Sequence, residues 1–420
     1  MRRLLKVCAA LLVLFALTQA PFVYRRRHLS RLDAAIRSLN AQRAATDDAG
    51  LADYPGALHV HSSLGGHSTG TLAEVVAGAR AAHLAFVVMT EHPSAYTDTR
   101  AATLSGTHDG VLFVPGTESS ESERDRLLAF GGSDTPGGSS SMQPAAQSQP
   151  AALPADANAA PTQSLIDRAK AAGQLVFVAH PETFEGWQTA RGFDGMEVYN
   201  LHADAKNARP LTLFFDGLWS YRSFPDLLWT RFHQTPTENL RRWDELTAVG
   251  RRVVAVAGND AHANVGVSLQ DLTGRSIFQI KLDPYERSFR VVRTHVLAPR
   301  GQAFDADALL AALSAGHAYV AFDLLSDATG FRFTASNGAE QKILGDEIAL
   351  VSGVRLRVAA PVESRVVLVR DGRRVDEKVA RGAEWAVGER GVYRVECYLP
   401  QLPAPLGATP WIIPNPIYVR

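Results

Sequence analysis

Between Ala57 and Ala257 the chain repeats one unit: a short apolar, β-rich run, a polar break, and in several places a stretch of helical spacing. The runs are Ala57 to His61, Ala85 to Thr90, Val111 to Pro115, Leu127 to Phe130, Leu175 to Ala179, Gly195 to Tyr199 and Val253 to Ala257. Thr71, Thr162 and Thr237 stand where helices reaching His83, Ala172 and Val249 need N-caps, since a threonine hydroxyl satisfies an N–H that the first turn leaves open. Strand, helix, strand in repetition calls for crossover connections and hence a parallel sheet. Seven such strands predict an α/β fold, a distorted (β/α)7, TIM-like barrel.

The barrel is expected over residues 57–325, with a helix after Asp305 that ends near Gly316 completing its side. Residues 133–161 are Pro, Ala, Ser, Gln and Gly with almost no large apolar side chain, which predicts a disordered insertion. Beyond Leu325 the pattern changes to "GFRFTA", "GVRLRVAA", "SRVVLVRDGRRVDEKVA" and "GVYRVECYL", with Asp371-Gly372 as a hairpin turn. Residues 326–420 therefore read as a small C-terminal all-β, sandwich-like domain.

Residues 1–30 carry Arg2, Arg3 and Lys6, then an apolar run from Val7 to Leu17, then Arg25, Arg26 and Arg27. That is the pattern of an export signal or a membrane anchor. Val7 to Tyr24 approaches the roughly 20 residues that span a bilayer, and Pro21 obstructs cleavage after Ala20. A membrane-anchored or exported protein is expected, with the bulk of the chain outside the cytoplasm. Residues 31–56 then read as a linker.

Lys+Arg and Asp+Glu balance at 43 each, which gives no support to a nucleic-acid partner. The two cysteines, Cys8 and Cys397, allow neither a disulfide framework nor a cysteine zinc motif. Any metal here is held by imidazole and carboxylate.

Those residue types collect at the predicted strand ends: His59 and His61, then Glu91 and His92, Glu118, His180, and Asp260 with His262. In a parallel barrel these ends face one mouth, so residues remote in sequence converge. His59 and His61, two apart on a strand, would share a face and grip one ion together. The donor set suits zinc, manganese or iron, and a carboxylate such as Glu118 can bridge two ions. A single histidine at a strand end is ordinarily a hydrogen-bonded rim residue; the coincidence over five strand ends, in a chain with 13 histidines, makes the case for metal. No G-x-S-x-G elbow, P-loop or dinucleotide glycine pattern is present.

In order, "HVHSSLGGHSTGTLAEVVAGARAAHLAFVVMTEH", "VPGTES", "FVAHPE", "MEVYN" and "AGNDAH" resemble the motifs of the PHP (polymerase and histidinol phosphatase) family over residues 57–265. The resemblance implies a distorted seven-stranded β/α barrel and two or three divalent metal ions. It also implies hydrolysis of a phosphorylated small-molecule or polymer substrate by metal-activated water. By that resemblance His59, His61, Glu118 and Asp260 would hold one ion, Glu118 and His180 would share a second, and His67, His92 and His262 would hold another.

Three departures matter. His67 stands where many members have Asp, which favours a third ion, and Glu91 stands where Asp usually precedes His92. Arg126 lies where trinuclear members carry a histidine, so the second ion is a ligand short unless His202 of "YNLHAD" supplies it. Arg126 is itself a candidate for binding the substrate phosphate, and His202 and Glu91 are candidate general acids. Two rival readings stand beside this one: an amidohydrolase-like C–N hydrolase, and a membrane-tethered, metal-stabilised binding module. The former usually wants a bridging carboxylated lysine or a glutamate, and no lysine lies at a matching strand end. Oligomeric state is left open.

Overall fold

The computed structural model describes residues 2–44, 50–120, 124–132, 161–206, 219–270 and 276–420. The expected insertion at 133–161 lies outside them except for Pro161, which opens a helix.

The seven apolar runs all form strands: β1 (Leu51–Val60), β2 (Phe86–Met89), β3 (Val111–Val114) continuing past Pro115 as β4 (Gly116–Ser120), β5 (Arg126–Phe130), β6 (Leu175–Val178), β7 (Gly195–Asn200) and β8 (Val254–Ala261). β1 pairs in parallel with β2 and β8, β2 with β3, and β7 with both β6 and β8. β5 runs antiparallel to β4 and β6. A bridge between Glu91 and Thr117 joins the end of β2 to β4, and the pairings return to their start as a closed barrel.

The expected all-parallel sheet is thus corrected to a mixed one. Parallel neighbours need a crossover of a dozen or more residues, and only residues 121–125 separate β4 from β5. Regular strand–helix alternation holds where α2 (Leu72–Ala81) links β1 to β2 and where α5 (Thr237–Ala248) links β7 to β8; α3 (Pro161–Ala171) and the short α4 (Leu201–Lys206) lie between. Thr71 caps α2 as the sequence predicts, in a reciprocal box with Glu74, whereas Thr162 and Thr237 fall inside α3 and α5, and Pro236 precedes α5 without a side-chain cap. Alternate strand residues such as Leu58, Val88, Leu128, Phe177 and Val256 form one cluster with Leu309 and Leu313 of a helix over Ala306–Ala315.

The stretch read as a linker, 31–56, is instead structured at both ends. Helix α1 (Arg2–Ala41) runs well into it, because Leu29, Leu32, Ile36 and Leu39 recur at helical spacing and bury against the core. β1 also begins early, at Leu51, since its first half pairs with β9 (Arg293–Pro299). The front of α1 is the opposite: Leu4 through Leu17 are exposed, and an 18-residue window there has a mean hydropathy of 2.0, long and apolar enough to cross a membrane.

From β9 the hydrogen bonding passes to β10 (Ala318–Ala321) and onward into the C-terminal strands β11 (Arg332–Ser336), β12 (Arg355–Arg370), β13 (Arg373–Ala386), β14 (Gly391–Tyr398) and β15 (Pro410–Pro414). The β12–β13 hairpin turns at Asp371 and Gly372, both at positive φ as an Asp-Gly turn requires. Barrel residues Met196, Val198 and Ala255 share one core with Val354, Val395 and Trp411.

Candidate metal centre

The ends of β1, β2, β6 and β8 deliver polar side chains to one place, and Glu118 joins them from β4. His59 Nε2 stands 3.2 Å from Glu118 Oε2 and 3.4 Å from Asp260 Oδ1. His61 Nε2 lies 3.3 Å and 3.5 Å from the same two oxygens. His180 Nε2 is 3.4 Å from Asp260 Oδ2 and 3.6 Å from Glu118 Oε1, and His92 Nε2 is 3.4 Å from Glu118 Oε2. His59, His61, Glu118 and Asp260 are all buried.

A regular pleat does not produce this convergence. The register of β1 shifts around His59 against both neighbours, and His59 has φ 64°. His180 at 46° and Asp260 at 47° are left-handed as well. Such a conformation costs about 1–2 kcal/mol per residue, although His and Asp are among the side chains that tolerate it. Strain of this kind gathers at functional sites. The expectation that His59 and His61 share a face by strand alternation is therefore corrected: a bulge aims them.

His59 Nε2, both ring nitrogens of His61, Glu118 Oε2 and His180 Nε2 are buried with no hydrogen-bond partner. Each such atom costs about 1–3 kcal/mol if nothing satisfies it. Two donors each about 2.1 Å from a tetrahedral ion stand about 3.4 Å apart, which matches the spacing here and exceeds the 2.7–3.2 Å usual for N–H···O bonds. The residues present fit a divalent cation. Groups whose ligand atoms lie within 4.8 Å of one another are His59, His61 and Glu118; His59, His180 and Asp260; His61, His92 and His262; and His202, Asp260 and His262.

Glu197 on β7 was not singled out by the sequence reading, yet it organises the centre. Its Oε1 is 2.6 Å from His59 Nδ1, while Oε2 accepts from the His180 backbone N–H at 3.1 Å and from Asn200 Nδ2 at 2.9 Å. The Nδ1–H of His59 donates to this carboxylate, which leaves Nε2 to face a cation. A glutamate within the otherwise apolar "GMEVY" was the available signal. Glu182 lies 3.5 Å from His180 Nδ1, an ion-pair distance and longer than a hydrogen bond.

Burial, the largest influence throughout, opposes charge on every group. Against it, Glu197, Asp260 and Glu118 raise His59 well above the usual histidine range, while His59 and His61 hold Glu118 and Asp260 well below the carboxylate range. Burial and then His61 push His92 and His262 down to about 4, leaving neutral imidazoles. Glu118 and Asp260 as carboxylates, and His92 and His262 as neutral imidazoles, are in the states a divalent cation requires, whereas His59, held charged among three carboxylates, gives up its Nε2 proton on binding one.

The remaining candidates divide. His67 is exposed in the loop, its Nδ1 donating to Gly65 O at 3.0 Å and its ring 4.6 Å from that of His92. Arg126 Nη1 lies 3.3 Å from Glu118 Oε1, on the side where Glu118 meets His180. His202 groups with Asp260 and His262, not with Glu118 and His180, so it does not stand at the gap beside Arg126. Glu91 is buried, and its oxygens accept from Ser62 N–H, Ser62 Oγ and Thr103 Oγ1.

No family model matches the chain, and no curated protein matches it. Among solved structures it is similar to a two-domain protein from Bacteroides vulgatus containing a predicted PHP-like metal-dependent phosphoesterase, at 13% identity and TM-score 0.40, over 89% of this chain and 98% of that one. It is also similar to a proposed metal-dependent phosphoesterase from Bifidobacterium adolescentis, at 14% identity and TM-score 0.25, over 61% of this chain and 95% of that one.

Proposed function

We propose that this chain is a metal-dependent phosphoesterase tethered to a membrane by the apolar front of α1. The observation that carries the reading is the set of buried, unpartnered atoms of His59, His61, Glu118 and His180 gathered around Asp260 at 3.2–3.6 Å. His59, His61, Glu118 and Asp260 would hold one divalent ion; His92 and His262, with His67 from the loop, would hold another. Zinc, manganese and iron all suit these donors. When bound, such ions supply Lewis-acid polarisation of a phosphoryl oxygen and a water of lowered pKa.

The chain's own groups do the rest. Glu197 fixes the tautomer of His59 and ties it to His180. Arg126 offers a cation to the phosphate beside Glu118, where a further ligand would otherwise stand. His202, near Asp260 and His262, is placed to give a proton to the leaving oxygen. Glu91 is a positioning residue that holds the Ser62 loop, with its oxygens already engaged.

The amidohydrolase reading would have to take Glu118 as its bridging carboxylate, since Lys170 lies on α3, paired with Asp194, and Lys281 is paired with Glu74. The test is elemental analysis of the purified full-length protein with phosphomonoester and diester hydrolysis before and after chelation. Metal content of two or more ions and chelator-sensitive hydrolysis are expected. A metal-free protein, or activity surviving replacement of both His59 and His61 by Ala, would sink the reading. Full metal without turnover would favour the binding module.

A further inference from the structure

Beside the metal centre runs a cleft of about 230 Å³ whose wall is largely apolar. Asp260, His262 and His202 of the centre belong to its lining, with Asn259, Asp283 and Ser288 as further polar members, and Tyr221, Leu228, Trp229 and Phe232 are among its apolar ones. This is smaller than the roughly 300–1,000 Å³ of a site that encloses a whole drug-sized ligand, so it suits one apolar arm of a larger molecule.

The same segment that walls the cleft also docks α1. Trp219 stacks on Phe22 at 5.5 Å; Arg26 donates to Trp219 O at 2.6 Å and to Ser223 Oγ at 3.0 Å, with its guanidinium over Phe224. Phe22 is the first buried residue of α1, directly after the exposed apolar stretch. Tyr221 and Pro225 of the cleft lining are thus chain neighbours of Trp219, Ser223 and Phe224, which hold α1 just past its exposed apolar stretch.

We propose that the substrate is an amphiphilic phosphoester drawn from the membrane, with its phosphate at the metal centre and its hydrocarbon arm in this cleft. The proposal rests on the reading of the chain as a tethered metal-dependent phosphoesterase. A sugar phosphate would leave the aromatic wall exposed and is disfavoured on that ground.

The test uses the full-length, metal-loaded protein in mixed micelles. It compares ethyl, butyl, octyl and dodecyl phosphate, lysophosphatidic acid, glucose 6-phosphate and adenosine monophosphate. Expected is a kcat/KM that climbs with chain length, by up to about fourfold per methylene while the cleft fills, then levels off. Leu228→Ser should flatten that climb, while the series on the unaltered chain decides the matter even if this variant does not fold. Chelator-sensitive hydrolysis indifferent to chain length, or fastest on the nucleotide or the sugar phosphate, overturns the amphiphile alone. No hydrolysis of any ester overturns the phosphoesterase reading and this proposal with it.

Discussion

His59 Nδ1 and Glu197 Oε1 meet at 2.6 Å with both side chains fully buried, and the other oxygen of the same carboxylate holds the backbone of His180. One residue thus sets two metal-ligand candidates that arrive on different strands. Outer partners of ligating histidines typically contribute 10–100-fold to metal affinity. Glu197→Gln is expected to weaken the tightest-bound ion by about that factor, read by competition with a chromophoric chelator. An unchanged affinity would mean that His59 is oriented by packing alone.

Arg126 beside Glu118 supplies the second prediction. With Nη1 3.3 Å from Glu118 Oε1 and the side chain 40% exposed, the guanidinium stands against the carboxylate oxygen that also faces His180. Arg126→His is expected to raise the bound metal by one ion per chain in elemental analysis. Arg126→Ala should leave metal content unchanged and raise KM for phosphoesters, as loss of a phosphate contact does. If Arg126→His binds no more metal than the parent, the arginine does not occupy a ligand position.

Much of this site was legible because its chemistry sits in rare residue types at predictable places. Apolar runs marked the strands, and His59, His61, His180 and Asp260 followed from their ends. What was not legible depends on contacts remote in sequence. Glu197 reads as one more polar residue in a strand until β1 is placed two strands away; the bulge at His59 depends on its neighbours' registers. The antiparallel β5 was hidden because its composition resembles that of the parallel strands, and only the short connection before it betrays the direction. The end of α1 was missed for a simpler reason: the arginines of residues 25–27 drew attention from the apolar stripe that continues to Leu39.

A buried ionic cluster away from the metal centre adds its own dependence of stability on pH. His295 lies 2.8 Å from Asp53 Oδ1 and 3.0 Å from Asp323 Oδ2; Arg293 and Arg332 add charge to the aspartates, and Tyr319 donates to Asp53. Burial opposes charge here, but Asp323 and Asp53 raise His295 to about 10, from 6.5. Asp323, against burial, is lowered by His295 and Arg293 to about 2, from 3.8. A raised histidine stabilises fully below its unfolded value and loses that contribution as pH climbs from 6.5 towards 10. The lowered aspartate stabilises above 3.8 and loses its share as pH falls towards 2. Thermal melts of the chelated protein should therefore show Tm declining on both sides of a plateau between those limits. His295→Asn should make the alkaline decline shallower, the remainder coming from His59 in the chelated centre; a parent Tm unaffected between pH 7 and 10 would contradict the assignment.

Gly258 on β8 supplies the sharpest packing test. A Cβ there would lie 1.9 Å from Glu197 Oε1 and 2.4 Å from its Cδ, and the buried carboxylate is already tied to His59, His180 and Asn200. Gly258→Ala must push Glu197 aside. Overpacking of this sort costs about 1–3 kcal/mol, and the displaced carboxylate releases His59 and the His180 backbone together. The variant is expected to lower both Tm and metal affinity, although it alters no ligand. Gly388 is exposed, and a Cβ there would meet nothing within 4 Å, so Gly388→Ala should change neither. If Gly258→Ala lowers Tm but binds metal as tightly as the parent, Glu197 supports the fold without tuning the ligands, and the His59–Glu197 contact loses its assigned role.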